Sequence, residues 1–367
     1  NRTSECRHVV HRAIKVMSQA ESRKRPSAVS RDSRKSARAR RLGEGSSHSL
    51  NEVTGDFSGE YETLGVLGRG AYAEINLLCH RQTKQFFVLK TCCKLDALSY
   101  SHLRTEAQLM HGVSHPFLIT PLAISNPPGR STHFSLLLPL CPGGDFLQLL
   151  RRQAGCQLST SDARTYFCMI ALGLQALHDL GLVYRDLKPD NLLVQANGYL
   201  ALADFGFVVP AAECTRSRAG TAEYQAPELL RAERHGAAVD WWALGVLLFE
   251  MVVGKQPFTG SEAEVQEAVL AHTHGLPQRC AAQEEALLGD AAPIVRALLI
   301  AEARERLGAV EAGGVSALRG HPWLASVDWE QLLEMKVSAP MVPSELSADA
   351  DAALAELTQR CQSGFDF

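Results

Sequence analysis

Residues 184–193 read YRDLKPDNLL, and three of their side chains have complementary chemistry. Asp186 is able to orient a hydroxyl group by accepting its hydrogen bond. Lys188 supplies a mobile positive charge, and Asn191 supplies a neutral oxygen ligand for a hard cation. Each of these groups alone has an ordinary interpretation, so what the stretch does depends on whether the rest of the chain supplies matching residues.

Matching parts occur on both sides of this stretch, in a fixed order. Upstream, Lys90 closes the predicted strand QFFVLK, and Glu106 lies on the predicted helix that follows. Downstream come DFG at 204–206, which begins with the hard oxygen ligand Asp204, and APE at 226–228. Each motif alone has an ordinary interpretation, because a lysine at a strand end is usually a surface charge. The ordered series is what carries the information.

This ordered series resembles the protein kinases. The resemblance runs from about Phe57 to Trp323 and implies an α+β, bilobal fold. A small β-rich N-lobe with one main helix would be joined to a large, mainly helical C-lobe. The implied organisation is a basic, disordered arm over 1–56, a kinase domain over 57–323 (N-lobe 57–138, C-lobe 139–323) and a C-terminal tail over 324–367.

The resemblance also implies that ATP and Mg²⁺ are used, and it assigns roles to individual residues. An ion pair between Lys90 and Glu106 would fix the lysine that holds the ATP phosphates. Asp186 would orient the substrate hydroxyl, and Lys188 would reach the γ-phosphate. The implied catalytic residues are Lys90, Glu106, Asp186 and Lys188, and the implied metal ligands are Asn191 and Asp204.

The stretch LGVLGRGAYAEINLL, residues 64–78, carries a glycine pair, Gly68 and Gly70. Alone it fits a hairpin turn or a dinucleotide-binding unit, but a strand pattern follows it where a dinucleotide fold needs a helix. Within the kinase resemblance it is the phosphate-binding loop, with Tyr72 at its tip. The implied nucleotide-binding residues are Leu67, Gly68, Arg69, Gly70, Ala71, Tyr72, Ala73, Ile75, Val88, Lys90, Pro139, Cys141, Asp145 and Leu193.

Three residues depart from the kinase pattern and keep a second function open. Ala73 replaces the usual third glycine, Val88 stands where an alanine usually covers the adenine, and Pro139 replaces an acidic hinge residue. The alternative is therefore a pseudokinase that binds nucleotide or partner proteins with little turnover. A small-molecule kinase is disfavoured because APE and the acidic positions described next would have no use.

The motifs DFGF, GTAEYQAPELL, VDWWALGVLLFEM and RERLG are similar to those of the AGC group of Ser/Thr kinases, above all its cyclic-nucleotide-dependent members. In that group three acidic positions bind arginines upstream of the phosphorylated residue. The matching residues are Asp145, Asp190 and Glu250, all acidic here. Carboxylates bind guanidinium groups through charge-assisted hydrogen bonds. The resemblance therefore implies Arg-Arg-x-Ser/Thr-like protein substrates, whereas solvated surface acids are the ordinary alternative.

The resemblance assigns further roles beyond the catalytic residues. Ser217 is the candidate phosphosite for an upstream activating kinase, and its phosphate would pair with Arg185. Thr221 would bridge the catalytic aspartate and lysine. Glu228 would pair with Arg306 in a structural role. The terminal segment 365–367, FDF, would dock back on the N-lobe, although its spacing departs from the usual one.

Charge is distributed unevenly along the chain. Residues 21–41 contain nine Lys/Arg and two acids. Subtracting this local +7 from the total of −3 leaves −10 for the rest of the chain. The arm is expected to bind acidic surfaces, or to enter the acidic substrate site as an autophosphorylation site or a pseudosubstrate. In RKRPSAV, residues 23–29, Ser27 has substrate-like spacing, and in RKSA, residues 34–37, Ala37 stands where a phosphoacceptor would be.

The cysteine content and the apolar runs indicate the cellular compartment of the protein and argue against a cysteine-bound metal. The ten cysteines show no metal-binding spacing, which predicts reduced thiols in a reducing compartment. No apolar run is long enough to span a bilayer, since Glu250 interrupts the longest one. The expectation is an intracellular monomer, in the cytoplasm or alternatively the nucleus.

Overall fold

The computed structural model describes residues 52–53, 57–126, 132–213, 220–276 and 282–343. Over these residues the chain forms two compact units. The first contains 52–107 and 121–140, and the second contains 108–120 and 141–343. The predicted phosphosite Ser217, the tail from residue 344 onward and the arm, apart from residues 52–53, lie outside the described residues.

The division differs from the predicted lobe boundary in two respects. The first unit ends at Leu140 rather than at residue 138, and residues 108–120 belong to the second unit. The second difference has a physical cause. Phe117 and Leu118, which follow the N-lobe helix, are buried in the second unit's core. The Phe117 carbonyl accepts from the N–H of Leu202, and the N–H of Ile119 donates to the Leu202 carbonyl.

The first unit is built on a six-stranded sheet with the order β1-β5-β6-β4-β3-β2. All of its pairs are antiparallel except β1 with β5. The short β1 lies within the predicted arm, so the sheet begins earlier than expected. The strands are β1 (Glu52–Val53), β2 (Tyr61–Arg69), β3 (Glu74–His80), β4 (Phe86–Cys93), β5 (Ala123–Ser125) and β6 (His133–Pro139), and the helix is α1 (Ala97–Met110).

Apolar alternation and a local cap explain these elements. In β3 and β4 the side chains of Leu77, Cys79 and Phe86 form a buried cluster under the sheet. The carboxylate of Asp96 accepts hydrogen bonds from the N–H groups of Leu98 and Ser99, and so satisfies donors that the first turn of α1 leaves open. Lys90 on β4 and Glu106 on α1 are thereby placed on neighbouring elements.

The second unit is mainly helical. The helices Thr160–Asp179 and Ala238–Val253 pack against each other in its core, and their buried side chains include Tyr166, Phe167, Trp241 and Trp242. The helices are α2 (Phe146–Arg152), α3 (Thr160–Asp179), α4 (Pro227–Leu230), α5 (Ala238–Val253), α6 (Glu262–Ala271), α7 (Ala282–Leu288), α8 (Ala292–Leu298), α9 (Gly314–Arg319) and α10 (Trp329–Leu333).

Two short antiparallel pairs, β7 with β10 and β8 with β9, position the chemistry of this unit. Their strands are β7 (Leu182–Val183), β8 (Leu192–Val194), β9 (Leu200–Leu202) and β10 (Val209–Pro210). Residues 184–191 connect β7 to β8, and DFG follows β9. The predicted α+β class is therefore confirmed, with a sheet-based first unit and a helical second unit.

Among the helices of the described ranges, none has the length and the apolar character needed to cross a bilayer. The described cysteines are free thiols, as the sequence predicted: Cys79, Cys92, Cys93, Cys141, Cys156 and Cys168.

Candidate active site

In the first unit the predicted ion pair between Lys90 and Glu106 is formed. The lysine Nζ donates to Glu106 Oε2 at 2.7 Å. Both residues are buried, with exposed fractions of 9% and 1%. A buried charge is costly unless it is paired, so this contact fixes the lysine ammonium at one place on β4. That is the condition under which a flexible lysine positions a phosphate.

The glycine loop joins β2 to β3 and is closed by the N–H of Gly70, which donates to the carbonyl of Ala73 at 2.8 Å. Neither Gly68 nor Gly70 has a left-handed φ. A Cβ at Gly68 would meet no atom within 4 Å, and one at Gly70 only the carbonyl oxygen of Ala73 at 3.6 Å. The glycines leave open space beside the backbone, which is what close approach of a phosphate requires.

Ala73 also has a φ outside the left-handed range, so its methyl group causes no backbone strain. The replacement of the usual third glycine by Ala73 is therefore compatible with the backbone of this loop. Tyr72 and Ala73 are half-buried, while Ala71 is exposed. Arg69 forms an exposed ion pair with Glu74 across the ends of the two strands, with 3.1 Å between Nε and Oε2.

The remaining predicted nucleotide residues of the first unit lie on its sheet. Val88 on β4 pairs with Leu77 on one side and Leu138 on the other, and is half-buried. Ile75 is opposite Lys90, and Pro139 is opposite Phe87. Leu67 packs against the cluster of Leu77, Cys79 and Phe86.

Three predicted nucleotide residues belong to the second unit. Asp145 and Leu193 are joined by an isolated β-bridge, which brings these two positions together. Burial raises the pKa of the Cys141 thiol to about 12, so this group stays protonated at neutral pH.

Asp186 is the centre of a hydrogen-bonded group in the second unit. Asn191 Nδ2 donates to Asp186 Oδ2 at 2.7 Å and to the Asp186 carbonyl at 2.8 Å. The ammonium of Lys188 lies 3.3 Å from Asp186 Oδ2 and donates to Thr221 Oγ1 at 2.8 Å. Thr221 in turn donates to Asp186 Oδ1 at 3.3 Å. The predicted bridge by Thr221 is therefore present.

Burial raises the pKa of the Asp186 carboxyl group, and the positive charge of Lys188 opposes that shift. Asp204 raises the same pKa through its negative charge, which shows that the two carboxylates interact. Asp204 follows β9 with a left-handed φ of 55°. The N–H of Ala203, its neighbour, donates to the Asn191 carbonyl at 2.9 Å, so Asp204 is tied to the segment that holds Asp186.

Asn191 and Asp204 are a plausible pair of ligands for Mg²⁺. Both hydrogen bonds of the Asn191 amide use its nitrogen, which leaves Oδ1 as the ligand atom. In the part of the chain that the structure describes, no group of three or more His, Cys, Asp or Glu is arranged to hold a metal. Mg²⁺ usually takes one or two protein carboxylates and completes its octahedron with water and substrate phosphate, so a sparse set fits it.

One residue that holds this site had no predicted role. Asp240 on α5 is 1% exposed and accepts hydrogen bonds from the N–H groups of Tyr184 and Arg185, at 2.9 and 2.8 Å. The ring of His178 lies 2.7 Å from the same carboxylate. The sequence contained a signal, because an aspartate inside the apolar run VDWWALGVLL must be satisfied when buried.

Of the three acids predicted to bind arginine, Glu250 is the most enclosed. Its carboxylate accepts a hydrogen bond from the Tyr224 hydroxyl. Burial raises the pKa of Glu250, that bond lowers it, and the negative charge of Asp190 raises it again. Glu250 and Asp190 therefore interact, and Asp190 is exposed. Two neighbouring carboxylates of this kind are stabilised by an incoming cation.

Asp145, the third acid, already has a local role. It caps α2, accepting from the N–H of Gln148 at 2.8 Å and from the side-chain amide of Gln148 at 2.6 Å. The same Asp-x-x-Gln arrangement recurs at Asp328 and Gln331. The capping bonds therefore come from the local sequence, and they engage both carboxylate oxygens of Asp145.

The predicted structural pair of Glu228 and Arg306 is formed. Arg306 is fully buried, and its two terminal nitrogens donate to the Glu228 oxygens at 2.7 and 3.0 Å. Its remaining donors reach the carbonyls of Ile300, Ala238 and Ala301.

Comparison with known proteins shows which sequences this chain is similar to. Residues 61–324 match the protein kinase domain family. The chain is 32% identical over 291 residues to a cAMP-dependent protein kinase, catalytic subunit-like, of Caenorhabditis elegans, covering 78% of this chain and 69% of the relative. It is 32% identical over 298 residues to the human cAMP-dependent protein kinase catalytic subunit PRKX, covering 80% and 79%. It is 33% identical over 296 residues to serine/threonine-protein kinase gad8 of Schizosaccharomyces pombe, covering 78% and 49%.

Proposed function

The chain belongs to the protein kinase family, within the AGC group of Ser/Thr kinases, and we propose that it transfers the γ-phosphate of ATP to Ser or Thr in arginine-rich protein substrates. The observation that carries this proposal is the hydrogen-bonded group around Asp186. Its carboxylate is contacted by Lys188, Asn191 and Thr221 at the distances given above. A chain that had lost catalysis would be under no constraint to keep Asp186 together with all three of these partners.

In the proposed reaction Asp186 accepts the hydrogen bond of the substrate hydroxyl and aims its oxygen at the γ-phosphorus. A new P–O bond forms, the bond to the β-phosphate oxygen breaks, and ADP leaves. The hydroxyl proton passes to Asp186. Lys188, held by Thr221 at 2.8 Å, supplies positive charge for the transferred group.

Lys90 would bind phosphate oxygens of ATP, and Glu106 would keep its ammonium in place. The space beside Gly68 and Gly70 would admit phosphate close to backbone N–H groups. Asn191 and Asp204 would hold Mg²⁺, which supplies charge neutralisation for the phosphates. Val88 adds two methyl groups relative to alanine over the adenine position, which would narrow that position without removing a catalytic group.

The preference for arginine rests on Glu250, Asp190 and Asp145. The negative charge of Asp190 raises the pKa of Glu250, and a guanidinium group beside the two carboxylates would offset this repulsion. Asp145 would contribute less, because Gln148 engages both of its oxygens. Phosphorylation of Ser217 by an upstream kinase, with Arg185 as a partner, is part of the same proposal.

The test is transfer of labelled phosphate from Mg-ATP to an Arg-Arg-x-Ser peptide, with Asp204→Asn as the matched control. We expect incorporation by the natural protein and a loss of at least a hundredfold in the variant. A peptide with both arginines replaced by alanine should be a poorer substrate. Equal signals from the two proteins, or none from either, would support the pseudokinase alternative instead.

A further inference from the structure

The tip of the glycine loop makes a specific contact with α1. The ring of Tyr72 is stacked on the imidazole of His102, with 4.2 Å between the ring centroids and 11° between the ring planes. Tyr72 lies within the turn closed by Gly70 and Ala73, and it is not part of the buried cluster under the sheet. The contact therefore joins a loop tip to a helix, rather than one core residue to another.

His102 lies four residues before Glu106 on α1. Side chains four apart share a face of a helix, so both point toward the sheet side of α1. Glu106 holds Lys90 of β4, and His102 holds the tip of the β2–β3 loop. One face of α1 thus contacts two of the groups assigned to the ATP phosphates.

A second side-chain contact lies at the base of the loop. Arg69 and Glu74 form an ion pair whose side chains are 62% and 39% exposed, and exposed pairs contribute little. The space beside Gly68 is open. The ring contact with His102 is therefore a restraint on the tip that does not depend on this exposed ion pair.

We propose that His102 is a positioning residue for the phosphate-binding loop, acting through the ring of Tyr72. Stacking keeps the loop in place before phosphate binds, so less conformational freedom is lost on binding. The inference rests on the proposed function, because it concerns the same loop. Contacts of this type contribute roughly two- to tenfold in an equilibrium constant.

The test is a double-mutant cycle in the full chain with His102→Ala, Tyr72→Ala and the double variant. The KM for ATP should rise about two- to tenfold in each single variant, with little change in kcat. The double variant should resemble the single ones, because either change removes the whole contact. His102→Phe, which keeps an aromatic ring opposite Tyr72, should retain the natural KM.

A second readout needs no catalysis. Hydrogen exchange of the loop amides, residues 68–74, should be faster in both alanine variants without nucleotide. Tyr100→Ala is the matched control, since Tyr100 lies on the same helix but contacts Phe134 of β6 edge to face. Its loop exchange should stay at the natural rate.

The positioning role would be overturned if hydrogen exchange of residues 68–74 were unchanged in His102→Ala. It would also be overturned if the effects of the two alanine substitutions on the KM for ATP were additive in the double variant. If the natural protein transfers no phosphate, the proposed function fails, and loop exchange then decides the inference separately.

Discussion

At the scale of single residues, the behaviour of the site depends on the environment of Asp186. Three polar groups contact a carboxylate that is only 5% exposed. Burial raises its pKa, and Lys188 is the first of the groups that lower it. The proposed reaction needs the deprotonated carboxylate, so activity is full above this pKa and is lost as the pH falls through it.

Replacing Lys188 should therefore move the pH dependence as well as slow the reaction. In Lys188→Ala the pKa of Asp186 rises further, because the compensating charge is gone. The acidic limb of the kcat profile should shift to higher pH. Lys188→Arg keeps the charge and should keep the limb near its natural position. A limb that stays unchanged in Lys188→Ala, measured at saturating ATP and peptide, would contradict this account of Asp186.

At the scale of elements, a backbone hydrogen bond from Gly70 to Ala73 closes the β2–β3 loop, while the space beside Gly68 at the end of β2 is open. Gly68 has neither a left-handed φ nor a neighbour that a methyl group would meet. Folding of this chain therefore gives no reason for a glycine there. The requirement comes from the phosphate that the loop is proposed to hold.

Gly68→Ala should separate binding from stability. We expect an unchanged or slightly higher melting temperature, since alanine restricts the unfolded chain. The KM for ATP should rise about fivefold, equivalent to about 1 kcal/mol. Gly173→Ala is the contrasting variant, because its Cβ would lie 2.5 Å from Leu202 Cδ1 inside the core. That variant should lose stability, and a Gly68→Ala protein that does the same would refute the interpretation.

The buried pair of Glu228 and Arg306 joins α4 to the segment after α8. Removing one partner leaves a charge without compensation inside the second unit. Arg306→Met should lower the free energy of unfolding by about 3–5 kcal/mol, measured by urea denaturation. Arg296→Met removes the exposed pair with Glu285 and should cost about 0–1 kcal/mol. Comparable losses in the two variants would show that the buried pair has no special structural role.

At the scale of the whole molecule, charge is divided between an arm and a body. The +7 of residues 21–41 contrasts with the −10 of the remainder. Glu250 and Asp190, the acids proposed to bind arginine, are suited to basic sequences of this kind. The arm itself lies outside the described residues, so its occupancy of the substrate site is a hypothesis from charge and sequence.

Deleting residues 1–50 should raise activity toward an Arg-Arg-x-Ser peptide if the arm competes as a pseudosubstrate. The effect should appear as a lower KM for peptide, with kcat preserved. A charge-reversed variant of the arm, with Lys24 and Arg25 replaced by glutamate, should act in the same direction. Unchanged kinetics in both proteins would leave the arm as a surface-binding segment.

Sequence order alone was sufficient to predict the α+β class, the family and the main residue pairs. Lys90 with Glu106, Thr221 with Asp186, and Glu228 with Arg306 were all assigned before any distance was known, and the distances agree. These pairs came from the resemblance to the protein kinases that the ordered motifs carry, and in that family phosphoryl transfer depends on particular charges held at particular places in the fold.

Only the tertiary structure showed where a helix ends and which side chains from distant parts of the chain contact each other. The apolar pattern of 291–302 predicts one continuous helix, yet α8 ends at Leu298, and Arg306 binds the carbonyls of Ile300 and Ala301. The partners of Asp240, whose place in an apolar run indicated only that it must be satisfied, and the stack of Tyr72 on His102 likewise came from the tertiary structure. Periodicity reports which face of an element is apolar, whereas such contacts depend on packing between elements.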